Sequence, residues 1–275
     1  MKIIKLQFCL SITKLPDLYS PNLEELDLSF CENLIEVHES IGFLERLKKW
    51  DLSDCDKLQI LPSMLMLKSL EHFKLQGCLR LEKFPDIHPE MKCLNHLDSS
   101  HTGIRELPLS LLYLTGLATL EATCCFELTK IPVRANKSEM QEEVDIPSAK
   151  LRLACNSFNN FSGPTGFLCL TKLDLTCCPI DVELDSWMRP DYFPVLTDLS
   201  LDATGIVTIP ESISKFTRLQ CLIISRCQKL WKIPRLPQSI RTVDAKECNR
   251  LDTQSRSRLL NQVSLSFSFS LKFKL

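Results

Sequence analysis

The side chains of this 275-residue chain that can do chemistry are fourteen cysteines, five histidines and a near-balanced set of 33 basic and 34 acidic residues. Adjacent cysteines at Cys124–Cys125 and Cys177–Cys178 would be reactive thiols if a neighbour lowered their pKa, but no histidine or lysine stands beside them to do so. His72, His96 and Asp98 can meet on one face, yet no nucleophile accompanies them. There is no Cys-x-x-Cys pair, Walker loop, dinucleotide fingerprint or His-Glu-x-x-His helix. This inventory points to a chain without catalytic activity, cofactor or metal centre.

The cysteines are instead periodic. Residues 23–37, LEELDLSFCENLIEV, read Leu-x-x-Leu-x-Leu-x-x-Cys-x-x-Leu. The phrase returns from Leu47, Leu70, Leu94, Leu117, Leu170, Leu196 and Leu219, in a worn form from Ile240, and in an eroded first copy that starts at Met1. The first four intervals are 24, 23, 24 and 23 residues. A period of 20–29 with this leucine spacing is the signature of leucine-rich repeats.

Eight cysteines share one slot of that repeat: Cys9, Cys31, Cys55, Cys78, Cys125, Cys178, Cys227 and Cys248. Thr102 and Thr204 fill it in the other two copies, each followed by Gly-Ile. A small side chain that tolerates burial and hydrogen-bonds weakly suits an inward turn. Before the slot, the alternation Leu26, Leu28 predicts a short strand with one buried side. One such strand cannot bury its leucines alone, so the copies must stack into a parallel sheet over a continuous core. The return leg then meets Pro16, Pro62, Pro85, Pro108, Pro132, Pro210 or Pro234, which argues against a regular helix there. A short helical turn is expected within PESISKFTRL, Pro210–Leu219. The expected fold is an α/β leucine-rich-repeat solenoid, a horseshoe with a parallel β-sheet on the concave face and irregular or short helical convex segments.

About ten repeats occupy 1–252, interrupted at 133–166 by a stretch without leucine register that includes KSEMQEEVDIPSAK and CNSFNNFSGPTG. The expectation there is a disordered or surface insertion, since long unpatterned segments are functional or disordered. The repeat after Leu170 carries Trp187, Arg189, Tyr192 and Phe193, either core fillers or interface anchors, with core filling favoured. Residues 253–275 leave the register as a terminal cap or a disordered tail, and SLSFSFSLKFKL alternates like a strand. Nothing precedes Ile3, Ile4, Leu6 and Phe8 to cap the first repeat. Either a partner covers that end or the chain is the tail of a longer protein, and the second is expected.

A net charge of −1 and a pI near 6.5 give no electrostatic reason to expect nucleic acid or an anionic membrane as partner. No 18-residue apolar run exists, and Lys5 interrupts the only signal-like stretch. Stacked slot cysteines would mispair in an oxidising compartment, so a cytoplasmic or nuclear location is expected.

Residues between the buried leucines face the concave surface. One column holds Asp27, Asp51, Lys74, Asp98, Glu121, Asp174, Ser200, Ile223 and Asp244; its neighbour holds Glu25, Lys49, His72, His96, Thr119, Lys172, Asp198, Cys221 and Thr242. Acidic residues beside basic ones suit recognition of a charged protein surface. The candidate binding residues are Lys49, Asp51, His72, Lys74, His96, Asp98, Glu121, Lys172, Asp174, Asp198 and Arg226. Many of the aspartates are explained by Leu-Asp-Leu being a common form of such a strand, whereas His72, Lys74, His96 and His101 are less usual there.

The phrases NLEELDLSFCENLIEVHESIGFLERL, LKSLEHFKLQGCLRLEKFPDI and TGIRELP, with cysteine in the turn slot, resemble the leucine-rich region of plant TIR-type nucleotide-binding leucine-rich-repeat disease-resistance proteins. The resemblance spans roughly 1–252. It implies intracellular innate immunity, with a pathogen effector, a guarded host protein or a nucleotide-binding module as partner. In that family the repeats sense effectors and restrain the nucleotide-binding switch. The TIR and nucleotide-binding modules have no counterpart here, so none of their activities transfers to a residue of this chain. The chain therefore looks like a fragment, a truncated product or a stand-alone remnant. A different class, the substrate-selecting adaptor of a ubiquitin ligase, would usually bring an F-box segment, and none is present.

Overall fold

A computed structural model describes residues 1–132, 166–179 and 184–264. Ten three-residue strands form one parallel sheet in chain order: β1 (Ile3–Lys5), β2 (Glu25–Asp27), β3 (Lys49–Asp51), β4 (His72–Lys74), β5 (His96–Asp98), β6 (Thr119–Glu121), β7 (Lys172–Asp174), β8 (Asp198–Ser200), β9 (Cys221–Ile223) and β10 (Thr242–Asp244). Every crossover returns to the neighbouring strand, so each repeat contributes one turn of a leucine-rich-repeat solenoid. The strand pairing aligns Leu26, Trp50, Phe73, Leu97, Leu120, Leu173, Leu199, Leu222 and Val243 in one row, all buried. Stacking thus does what a single three-residue strand cannot: each apolar side chain is covered by its counterparts in the adjacent copies.

The turn after each strand has a fixed form. The residue just before the slot adopts positive φ in all ten copies: Phe8, Phe30, Asp54, Gly77, His101, Cys124, Cys177, Ala203, Arg226 and Glu247. Only one is glycine, so nine residues occupy a region that side chains usually avoid. Their amides compensate. Phe30 N–H donates to Ser53 O at 2.8 Å, Gly77 N–H to Ser100 O at 3.0 Å and Cys177 N–H to Asp202 O at 2.8 Å, extending the sheet ladder through the turn.

The next residue points inward. Cys31, Cys55, Cys78, Cys125, Cys178, Cys227 and Cys248 are buried, and Cys9, in the end repeat, is half-buried. Each buried slot thiol donates to a carbonyl of the preceding repeat: Cys31 to Leu6 O at 3.0 Å, Cys55 to Leu28 O at 3.2 Å, Cys78 to Leu52 O at 3.2 Å, Cys125 to Ser99 O at 3.0 Å, Cys178 to Ala122 O at 2.8 Å, Cys227 to Leu201 O at 3.1 Å and Cys248 to Ile224 O at 2.9 Å. Thr102 and Thr204 instead donate to their own repeats, to Ser99 O at 2.8 Å and Leu201 O at 2.6 Å. Burial pushes the Cys55 thiol up to about 12, so it stays protonated and donates.

Convex segments are irregular, with 3-10 turns at Glu39–Phe43, Leu109–Tyr113 and Glu211–Lys215. Pro108 and Pro210 precede two of these turns, where a missing N–H is harmless. The convex legs also pair with one another, which the leucine pattern does not reveal: Lys14–Leu15 with Glu36–Val37, and Met64–Leu65 with Asp86–Ile87. Trp187, Tyr192 and Phe193 are buried rather than presented as anchors, with Phe167 stacked on Phe193 at 5.6 Å between ring centroids. Trp187 closes the four-residue helix α1 (Leu184–Trp187).

After β10 the chain forms α2 (Thr253–Ser264). Asp252 starts it by accepting Ser255 N–H at 2.6 Å. The buried Ser255 hydroxyl accepts from Ile233 N–H at 2.9 Å, and Leu259 is buried, so the helix packs on the last repeats. The strand-like phenylalanine run and nearly all of the 133–166 insertion lie outside the described residues.

Candidate protein-binding face

The two columns predicted for the concave face are two rows in the strand pairing. One runs Asp27, Asp51, Lys74, Asp98, Glu121, Asp174, Ser200, Ile223, Asp244; the other runs Glu25, Lys49, His72, His96, Thr119, Lys172, Asp198, Cys221, Thr242. Lys49, Lys74 and Asp198 are exposed, and Asp51, His72, His96, Asp98, Glu121, Lys172 and Asp174 are half-buried. Arg226 lies elsewhere. It occupies the positive-φ turn position after β9, and its guanidinium forks onto Asp202 of the preceding repeat. It therefore borders the face without belonging to its strand rows.

The aspartates have a local duty that the spacing did not expose. Asp51 Oδ1 accepts Ser53 N–H at 2.9 Å, Asp98 Oδ1 accepts Ser100 N–H at 3.0 Å, and Asp174 Oδ1 accepts Thr176 N–H at 3.1 Å and its hydroxyl at 2.6 Å. Each closes an Asx turn that steers the chain into the positive-φ residue beyond. The signal was present as Asp-x-Ser/Thr. The acidic row is thus partly structural.

What is left is a face with internal charge pairing and a histidine-bearing segment of mixed charge. Lys74 Nζ lies 3.4 Å from Asp51, and Lys172 pairs with Glu121, which also stands 3.9 Å from His96 Nε2. His72 and His96 rings lie 6.1 Å apart. Burial first, then the His96 and Lys49 charges, hold the His72 imidazole below its ordinary range. Lys49 makes no ion pair among the described residues. A depression of about 310 Å³ is lined by Glu25, Asp27, Lys49, Asp51, His72 and Lys74 over the floor of Leu26 and Trp50. His96, Asp98 and Glu121 bring one ligand atom each within 4.8 Å of one another, a donor set suited to a divalent ion, although Lys172 already engages Glu121.

The lowered His72 pKa carries a sign. The unfolded chain takes up this proton first, so acidification through the ordinary histidine value of about 6.5 favours unfolding. The wild type is expected to lose more thermal stability between pH 7.5 and pH 5 than His72→Gln does. Equal losses would show that His72 does not titrate against its neighbours.

No family model matches the chain. TMV resistance protein N of Nicotiana glutinosa is 26% identical over 288 residues, covering 87% of this chain and 25% of that protein. The chain is similar to the plant TIR-type nucleotide-binding leucine-rich-repeat disease-resistance proteins. Disease resistance-like protein DSC1 of Arabidopsis thaliana is 30% identical over 241 residues, covering 86% of this chain and 17% of that protein. The chain therefore spans a quarter or less of the length of these two relatives. Among solved structures, a Leptospira interrogans leucine-rich-repeat protein is 16% identical, with a TM-score of 0.40 over 95% of this chain and 75% of that one. No helix among the described residues is long and apolar enough to cross a membrane.

Proposed function

We propose that the chain is a non-catalytic protein-recognition module of plant innate immunity, acting in the cytoplasm or nucleus. The carrying observation is the continuous ten-strand face, on which Glu25, Asp27, Lys49, Asp51, His72 and Lys74 surround an open depression of mixed charge. Similarity to disease-resistance proteins supports the immune setting. The partner is a protein with a charged surface that matches this mixed row of acidic and basic residues: a pathogen effector, a guarded host protein, or a nucleotide-binding switch that the repeats restrain. Restraint requires different affinities for two states of that switch.

The test uses folded 1–275 as bait in plant-cell extract, beside His72→Glu/Lys74→Glu and a control on a convex leg, Lys14→Glu. The concave variant is expected to lose its bound protein at least tenfold while keeping its thermal midpoint, and the control to retain it. Equal recovery by both variants would count against this face. Recovery of a nucleotide-binding protein in one nucleotide state would support restraint, and equal recovery in both states would remove it. A ubiquitin-ligase core subunit in the capture would favour the adaptor role instead.

A further inference from the structure

Cys124 and Cys177 stand side by side in the positive-φ row, not in the buried slot. The pairing of β6 with β7 sets Glu121 against Asp174, and three residues on it sets Cys124 against Cys177. Cys124 N–H donates to Thr176 O at 2.7 Å, so the two backbones remain laddered at this point. Both residues carry free thiols and are half-buried, so solvent reaches them. The same row continues through Ala203 to Arg226. Burial, and then the neighbouring Cys177 thiol, hold the Cys124 thiol above its ordinary range, so it reacts through the minor fraction that has lost its proton.

We propose that Cys124 and Cys177 are an oxidisable dithiol site, which a peroxide closes to a reversible disulfide between two neighbouring repeats. Neighbouring strands lie about 4.8 Å apart, within the roughly 4.4–6.8 Å between Cα atoms that a disulfide spans. One thiolate attacks the peroxide, the O–O bond breaks, and a sulfenic acid and water result. The second thiol attacks that sulfur, the S–O bond breaks, the S–S bond forms and a second water leaves. Two thiols are oxidised and one peroxide is reduced. The disulfide staples the repeats that flank the long insertion, and thiols reopen it.

No other pair of thiols on adjacent repeats among the described residues has both members half-buried. Cys125 and Cys178, the slot pair beneath, are buried and donate to carbonyls. Exposed Cys93 and Cys169 precede Leu94 and Leu170 with the Gly116 repeat between them, about 10 Å apart by strand spacing. Cys221 has Asp198 and Thr242 as its row neighbours.

The test treats folded 1–275 with hydrogen peroxide, alkylates it, and maps unreduced peptides by mass. The expected product links the peptides of Cys124 and Cys177, weighs two hydrogens less, reverts with dithiothreitol, and is missing in Cys124→Ser and Cys177→Ser. A link that persists in Cys124→Ser belongs to the buried pair and overturns the assignment, as does a link to Cys155 or Cys169 or separate oxidation of each thiol. Phenylarsine oxide, which bridges two nearby thiols, gives an independent reading. One equivalent is expected to shield both residues from alkylation, and either serine variant to lose the shielding while keeping the wild-type thermal midpoint. Unshielded thiols in the wild type would show that the sulfurs do not meet.

Discussion

Trp50→Ala is expected to destabilise the N-terminal half of the solenoid by about 3–5 kcal/mol, the usual cost of emptying a buried tryptophan site. Trp50 is the largest side chain of the aligned row, 1% exposed, and stacks on Phe73 at 4.8 Å between ring centroids. Its neighbours in the row are fixed by the ladder on both sides, so the repeats cannot collapse into the space without breaking backbone bonds. Because a solenoid is stabilised by nearest-neighbour interfaces, the loss should centre on the repeats of Leu26, Trp50 and Phe73. Hydrogen exchange should rise there first and the urea midpoint should fall. Trp50→Phe should cost far less: it keeps the stack and removes an indole N–H that has no hydrogen-bond partner. Equal losses for alanine and phenylalanine would contradict this account of the row.

Gly116→Ala ranks next. A Cβ at Gly116 would stand 2.1 Å from Lys92 O and 3.2 Å from Lys92 C, both backbone atoms of the preceding repeat. Backbone atoms yield less readily than a side chain, so a cost of about 3 kcal/mol is expected, at the upper end for overpacking. Gly77→Ala makes the informative contrast. Its Cβ would meet Asp54 Oδ1 at 2.3 Å, a carboxylate oxygen that can rotate away, which leaves mainly the strain of φ +78. Denaturant titration should therefore place Gly116→Ala below Gly77→Ala. The reverse order would mean that the Lys92 carbonyl moves aside more readily than the Asp54 carboxylate.

The leucine spacing made the sheet legible because each buried position is dictated by a single requirement, apolar contact with the copy on either side. Leu23, Leu26 and Leu28 therefore announce their places, and so does the slot at Cys31. Conformation without a residue signature was hidden. The positive-φ position accepts Phe8, Asp54, His101 and Ala203 alike, since its amide bond to the next repeat, not its side chain, fixes it. Spacing alone groups Arg226 with the face, whereas the structure sets it at this turn position on the border of the face. The paired convex legs were hidden too, because two-residue strands such as Lys14–Leu15 carry no alternation. On the candidate face, the rows were readable from strand period alone. The Asx duty of Asp51, Asp98 and Asp174 was not separated from binding, since a carboxylate suits both.

The most direct measurement is hydrogen exchange of folded 1–275, free and bound to the protein it captures from plant extract. New protection over Lys49–Asp51, His72–Lys74 and His96–Asp98, with the convex legs unchanged, is the predicted result. Protection confined to convex segments such as Glu39–Phe43 and Leu109–Tyr113 would contradict recognition through the concave sheet.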